Sequence, residues 1–339
     1  MQKILMILTS HRLDCFRLCI DLLVRGGSAS RFERVAILCS GVVGRHLEYV
    51  QSLPRRFPDV RWDFIYGAKG RGKPISDMQN ACVSRYPDAL YFKLDEDTFV
   101  SRDWDLQMEQ IHQVYRGHER LALVSAVVTN NQRGAYHLLH VTPGLGDEFK
   151  RAFQQPIITD RMGPIWILPQ CGAFMMRRFL DLEKGNRELR SANRQAIQQG
   201  KWPPGEAVSA SPEWLPPLPR GIMAEHPSIP FSYPFSINCI CYDYRHWKEI
   251  GGVPEEDENG WGKWIPANGK FVVLAADALV HHYSFFVQQN WLDRTDLLEA
   301  IRRANIPDSR CAIGGWLARL FRILKQVPGA ITRRFGKRR

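Results

Sequence analysis

No stretch of this 339-residue chain stays apolar for the roughly 18 residues that crossing a bilayer demands, so no membrane-spanning helix is expected. The opening run, MQKILMILTSHR, is too short for a secretory leader and has no small-residue cleavage site. It reads as a buried first strand, and the chain is expected in the cytosol. No two cysteines stand in a C-x-x-C pair, which speaks against a zinc finger or ribbon. Cys15, Cys19, Cys39, Cys82, Cys171, Cys239, Cys241 and Cys311 lie mostly in apolar runs and read as free, buried thiols of a reducing compartment. There is no glycine-rich phosphate loop after the first strand, no internal repeat and no low-complexity tract.

What is present is ordinary globular composition, 45% hydrophobic and 24% charged, which excludes a disordered chain or a coiled coil. The net charge of +11 is unevenly placed. Residues 316–339 hold eight basic residues and no acidic one, so only +3 remains for the rest. Within Trp316 to Val327, apolar residues recur at helical spacing, with Arg319, Arg322 and Lys325 on the opposite side. This basic amphipathic helix is expected to lie on an anionic membrane surface, peripheral at the inner face of the cell membrane. Nucleic acid is not an expected partner: the charge sits in the tail, and no helix-turn-helix, zinc-finger or RNA-binding signature occurs.

Along the body, Lys3 to Thr9, Arg34 to Cys39, Arg61 to Tyr66 and Leu90 to Leu94 read as strands, and Asp14 to Arg25 and Ile75 to Arg85 as helices. Such alternation predicts an α/β fold with a mostly parallel central sheet and helices on both faces. Ligands in such sheets bind beyond the carboxyl ends of the strands, where Thr9-Ser10-His11, Ser40-Gly41 and Asp95-Glu96-Asp97 fall. Ser236 to Tyr242 and Phe271 to Ala275 read as further strands. Residues 202–234, with nine of the 21 prolines, read as a long loop. The expected domain is 1–305, with a nucleotide half over 1–100 and an acceptor half over 101–305; the tail is 306–339.

Three adjacent carboxylates at a strand end repel one another unless a cation sits among them. Hard divalent ions, Mn2+ or Mg2+, take oxygen ligands and share them with substrate phosphates. A second acidic run, Glu255-Glu256-Asp257-Glu258, follows Gly251-Gly252 in a loop, where a carboxylate can serve as a general base. His281-His282 end another apolar run, and imidazole is a common metal ligand.

Taken in order, Ile7-Leu8-Thr9-Ser10-His11-Arg12, the basic stretch Lys69-Gly70-Arg71-Gly72-Lys73 leading to Asn80-Ala81, and Phe92-Lys93-Leu94-Asp95-Glu96-Asp97 resemble the GT-A fold glycosyltransferases, specifically the family 2 group. The resemblance spans residues 3 to about 290. It implies a GT-A, Rossmann-like fold and inverting transfer from a nucleotide-sugar donor, a UDP-sugar by default. It implies that Thr9 and His11 line the nucleotide pocket, that Lys73 or Arg71 faces the base or phosphates, that Asp95 and Glu96 lie on the donor side, and that Asp95, Asp97 and His282 hold the metal. It places the base in the acidic run: Asp257, with Glu256 and Glu258 as alternatives. Ser40 departs from the family pattern, which often has an Asp there. Gln170 to Arg178 resembles the segment behind the donor sugar and reads otherwise as a core strand. Trp166, Trp202, Trp214 and Trp261 are candidates for stacking on sugar.

The function so implied is transfer of a sugar to a glycan acceptor. The membrane tail suggests a lipid-linked precursor of a surface polysaccharide or lipopolysaccharide. The rival readings are a nucleotidyltransferase, which would more often open with a glycine-rich phosphate loop, and a non-catalytic sugar- or nucleotide-binding module.

Overall fold

The computed structural model describes residues 1–154, 168–203, 218–231, 235–283 and 286–306. Its elements are β1 (Lys3–Thr9), α1 (Leu13–Arg25), β2 (Arg34–Ser40), α2 (Gly44–Arg56), β3 (Trp62–Gly67), α3 (Lys73–Arg85), β4 (Leu90–Asp95), β5 (Thr98–Val100), α4 (Trp104–Tyr115), β6 (Leu121–Val128), α5 (Gln132–Val141), α6 (Leu145–Phe153), α7 (Pro169–Arg178), α8 (Leu182–Gln198), α9 (Arg220–Glu225), β7 (Ser228–Phe231), β8 (Cys239–Asp243), α10 (Tyr244–Ile250), α11 (Glu258–Ala267), β9 (Phe271–His282), α12 (Phe286–Leu292) and α13 (Leu297–Asn305).

The nine strands among the described residues form one sheet in the order β3-β2-β1-β4-β8-β6-β9-β5, with β7 paired to β9. The pairs β1–β2, β1–β4, β2–β3 and β6–β9 are parallel. β8 runs antiparallel to both β4 and β6, so β4 and β6 point the same way. Six strands thus share one direction, while β5, β7 and β8 oppose it. Successive strand residues face opposite sides, yet β6 is buried at every position and β4 at all but its last. Both faces are therefore covered, as a largely parallel sheet requires. α1 shows how: its apolar spacing buries Cys15, Phe16, Leu18, Cys19, Ile20, Leu22 and Leu23 on one side. Large apolar side chains buried this way contribute roughly 1.5–3 kcal/mol each. Gly27, at φ 76°, turns the chain after the helix.

Several expectations need correction. The proline-rich stretch is not wholly loop: α9 and β7 form within it, and β7 pairs with β9 from Ser228 opposite Ala275 to Phe231 opposite Val272. Its residues 204–217 and 232–234 lie outside the described residues. Gln170 to Arg178 belongs to a helix rather than a strand, because Pro169 opens it in the first turn and Cys171, Ala173, Met175 and Met176 give it a buried side. The last core strand runs on from Ala275 to His282. Seven of the cysteines are free and buried; Cys311 and the tail lie outside the described residues. Among the described residues, no helix is long and apolar enough to cross a membrane.

Candidate active site

The acidic triplet sits where β4 ends, and register brings three other segments to it. β1 and β4 are parallel neighbours with Leu8 opposite Asp95, so the Thr9-Ser10-His11 loop leaves the sheet beside the triplet. β5 pairs antiparallel with the end of β9, Thr98 opposite His282, and Tyr283 N–H donates to the Asp97 carbonyl at 2.8 Å. The acidic run following α10 reaches the same edge through α3.

Each acid of the triplet has a different partner. The Asp97 carboxylate lies 3.3 Å from His282 Nε2. Burial disfavours both charges, but their mutual attraction wins: Asp97 is held below the usual carboxylate range and His282 above the usual imidazole value. Asp95 lies 2.6 Å from Lys93 Nζ. Burial, with Asp97 nearby, raises its carboxyl against the opposing ammonium. Glu96 turns the other way, into the β1 loop. It accepts from Thr9 Oγ1 at 2.7 Å, Ser10 N at 3.0 Å, Ser10 Oγ at 2.9 Å and His11 N at 3.2 Å. Thr9 Oγ1 also meets His46 Nε2 at 2.9 Å.

Lys93 was missing from the sequence reading. It is 1% exposed in the middle of β4. Burial works against its charge, but Asp95, Asp257 and Glu258 more than offset that and hold it above the ordinary lysine value. The signal was available: a lysine interrupts an otherwise apolar strand two residues before Asp95, on the same face. Arg12 was missed as well. It is 6% exposed, pairs with Asp293 at 2.9 Å, lies over the Tyr283 ring at 5.4 Å, and helps hold down the pKa of Asp97.

The four acids of the second run separate by direction. Glu255 is exposed and pairs with Lys73 at 3.0 Å; Lys73 also pairs with Asp77 at 3.2 Å. Glu256 is exposed and pairs with Lys263. Asp257 accepts from Gln79 Nε2 at 3.2 Å and has a left-handed backbone, φ 49°. Such a conformation is uncommon for a residue other than glycine and persists only where neighbours impose it. Glu258 opens α11; burial, with Asp257 and Asp95 adding, pushes its carboxyl up to about 7 against Lys93 and His282. The loop is moored to α3 by Asn80, whose Oδ1 accepts from Val253 N at 2.7 Å and Trp247 Nε1 at 2.8 Å, while Nδ2 donates to Val253 O at 3.2 Å. A Cβ on Gly260 would lie 2.2 Å from the Cβ of Pro254, so only glycine lets α11 pack this closely on the loop.

The remaining candidates are more dispersed. His11 has a 64% exposed side chain, Arg71 is exposed on the loop before α3, and Ser40 Oγ donates to Ala68 O at 3.3 Å beyond β2. His281 faces away from His282, with Nδ1 2.9 Å from Thr129 Oγ1 and Nε2 3.0 Å from Phe179 O. Trp261 is fully buried against Tyr242 and Trp264, which removes it from any sugar-binding surface. Trp202 packs edge-on to His137; Trp166 and Trp214 lie outside the described residues.

Two carboxylates and an imidazole are donors that a divalent cation accepts. Asp97 and His282 are adjacent, whereas Asp95 is paired with Lys93 and the ligand atoms of the three do not all come together.

No family model matches the chain, and no curated protein matches it. Among solved structures it is similar to the mannosyltransferase PcManGT from Pyrobaculum calidifontis in complex with GDP-Man and Mn2+, at 12% identity over 97% of this chain and 76% of that one, TM-score 0.48. It is also similar to GalNAc-T7 with UDP, GalNAc and Mn2+, at 10% identity over 89% and 47%, TM-score 0.46, and to S. aureus TarS 1-349 in complex with UDP-GlcNAc, at 11% identity over 38% and 34%, TM-score 0.28. At such identities and TM-scores these likenesses assign the chain neither a family nor an activity.

Proposed function

We propose that the chain is a GT-A-type glycosyltransferase that transfers a sugar, with inversion, from a nucleotide-diphosphate donor to a carbohydrate acceptor. The observation that carries this reading is the meeting, at the carboxyl ends of β1 and β4, of the Asp95–Asp97 acids, His282 from β9 and the acidic start of α11.

Asp97 and His282, with Asp95, are the residues to hold Mn2+ or Mg2+. Bound there, the ion offsets the charge that develops on the departing nucleoside diphosphate. Thr9, His11, Arg71 and Lys73 take the nucleotide side, with Glu96 holding the β1 loop in place for it. Asp257 takes the proton of the acceptor hydroxyl as its oxygen bonds to the anomeric carbon and the bond to the diphosphate oxygen breaks. The hydrogen bond from Gln79 Nε2 to the Asp257 carboxylate and the loop moored by Asn80 support that position for the carboxylate. Glu256 points at Lys263 instead, and Glu258, half-protonated near neutrality, borders the same space. The donor is a UDP-sugar by default.

Nucleoside diphosphates tested by thermal shift with and without Mn2+ check the donor site. One nucleotide should raise the melting temperature only with the metal, and Asp97→Ala should abolish the rise while the far-UV spectrum is unchanged. No shift with any nucleotide would remove the transferase reading. Product formation, absent in Asp257→Asn, then separates an enzyme from a binding module.

The acceptor reading, a lipid-linked glycan at the inner membrane face, is supported only by the basic stretch 316–339. The full chain should co-sediment with vesicles containing anionic lipid, and a chain ending at residue 305 should stay in the supernatant. Equal sedimentation of the two would refute it.

A further inference from the structure

About a strand's length from the triplet, roughly 16 Å for six residues, a second constellation is buried at the other end of β4. Leu90, which starts β4, lies opposite Asp243, which ends β8. Asp243 stands between two imidazoles. His112 Nε2, from α4, is 3.4 Å from one carboxylate oxygen, and His246 Nδ1, one turn into α10, is 3.0 Å from the other. Both histidine side chains are at most 1% exposed. Among the described residues this is the one group of three His, Cys, Asp or Glu side chains whose ligand atoms all come together.

We propose that His112, Asp243 and His246 form a binding site for a divalent transition-metal ion of the zinc type, distinct from the ion proposed at the triplet. Two observations carry it independently. The first is spacing. Ligands about 2.0 Å from a tetrahedral ion are roughly 3.3 Å from one another; the two imidazoles meet different oxygens of Asp243, at 3.4 and 3.0 Å, and the ligand atoms of the three residues all lie within 4.8 Å of one another, within the reach of one ion held by both carboxylate oxygens. The second is satisfaction. His112 is fully buried, yet its Nδ1 has no hydrogen-bond partner and its Nε2 reaches only the Asp243 carboxylate, at a long 3.4 Å. A buried imidazole carries one donor and one acceptor, and leaving either unmade is costly. An ion on Nε2 accounts for the acceptor.

The chemistry of the donors selects the metal. Two imidazoles with one carboxylate favour zinc and its first-row neighbours over Mg2+ or Ca2+, which take oxygen. The position also gives the ion a purpose. It would tie α4 to the end of β8 and to α10, the helix that leads into the Gly251-Gly252 loop and the acidic run. The ion is therefore structural, holding in place the segment that precedes Asp257.

One neighbour opposes it. Arg245 Nη2 lies 3.1 Å from His246 Nε2 and 2.9 Å from the Arg116 carbonyl. With Nδ1 on the metal, Nε2 carries the proton and repels the guanidinium. Arg245 is exposed and must turn away, which disturbs the bond that the same Nη2 makes to the Arg116 carbonyl. Arg245→Ala is therefore expected to tighten metal binding.

The test uses the full chain carrying Asp97→Ala and His282→Ala, so that the triplet contributes no ion. After treatment with chelator and dialysis against Zn2+, it should retain one ion per chain, and Zn2+ should raise its melting temperature. Adding His112→Gln should abolish both. Loss of zinc retention in the folded parent, or retention that survives His112→Gln, would overturn the proposal. Should His112→Gln fail to fold, Co2+ added to the parent decides. Visible d–d bands of a four-coordinate nitrogen and oxygen site are expected, and their absence refutes the site.

Discussion

The Glu96 carboxylate accepts the Thr9 hydroxyl at 2.7 Å, so the middle acid of the triplet serves the β1 loop rather than the space in front of β4. Ser10 and His11 add three more hydrogen bonds to the same carboxylate. Three acidic residues in a row thus divide their work: one to a lysine, one to the first loop and one to a histidine.

Glu96→Ala leaves these donors without their acceptor, and an orphaned buried donor costs about 1–3 kcal/mol. Because water can reach Ser10 and His11, the expected loss is about 3 kcal/mol in all. Urea unfolding should show a lower midpoint with an unchanged slope. Glu96→Gln, which keeps one acceptor oxygen, should lose less. Equal midpoints for wild type and Glu96→Ala would mean that the loop is held by other contacts.

Lys93→Met removes the ammonium beside Asp95. Breaking one side of a buried pair costs roughly 3–5 kcal/mol. Asp95 keeps 25% of its side chain exposed, which puts the expected loss nearer the lower end of that range. Mn2+ should then stabilise the variant more than it stabilises wild type, since the ion no longer competes with a lysine. Melting temperatures with and without Mn2+ measure both effects. A Mn2+ shift no larger than that of wild type would place the ion away from Asp95.

Glu258 links stability to pH. Its carboxyl is raised to about 7 in the folded chain, against about 4.3 when unfolded. A carboxyl raised on folding contributes stability that is complete below the unfolded value and disappears as pH rises through the folded one. Glu258→Gln cannot ionise, so in chelator it should match wild type near pH 4 and exceed it by up to about 3 kcal/mol at pH 8. Parallel stability curves for the two proteins across that window would show that Glu258 is not held in the buried setting described.

The first half of the fold was legible because each strand is short, apolar and closed by a polar cluster. β1 was read with its observed ends, and β2, β3 and β4 to within a residue. β7 was not legible: Ser228-Ile229-Pro230-Phe231 looks like loop, and it is a strand because β9 offers it an edge. The helix from Pro169 was misread because a short apolar run has no period long enough to separate helix from strand. Within the candidate site, the acids and His282 stood out by type and position. Lys93 interrupts its apolar strand visibly, but its pairing with Asp95 exists only once the strand is packed.

The sequence by itself determined the first four strands and two of the helices between them, the placing of the acidic triplet at a strand end, and the concentration of charge in the last 24 residues. These are local properties, set by side-chain spacing and by the residues that end each run. Only the tertiary structure decided which acid faces which partner. Asp97 meets His282 because β5 and β9 pair across more than half the length of the chain, and Glu255, Glu256, Asp257 and Glu258 part company where Asp257, at positive φ, leads into α11. Charge pairing depends on distances of a few ångströms between residues far apart in sequence, and those distances exist only once the sheet has closed.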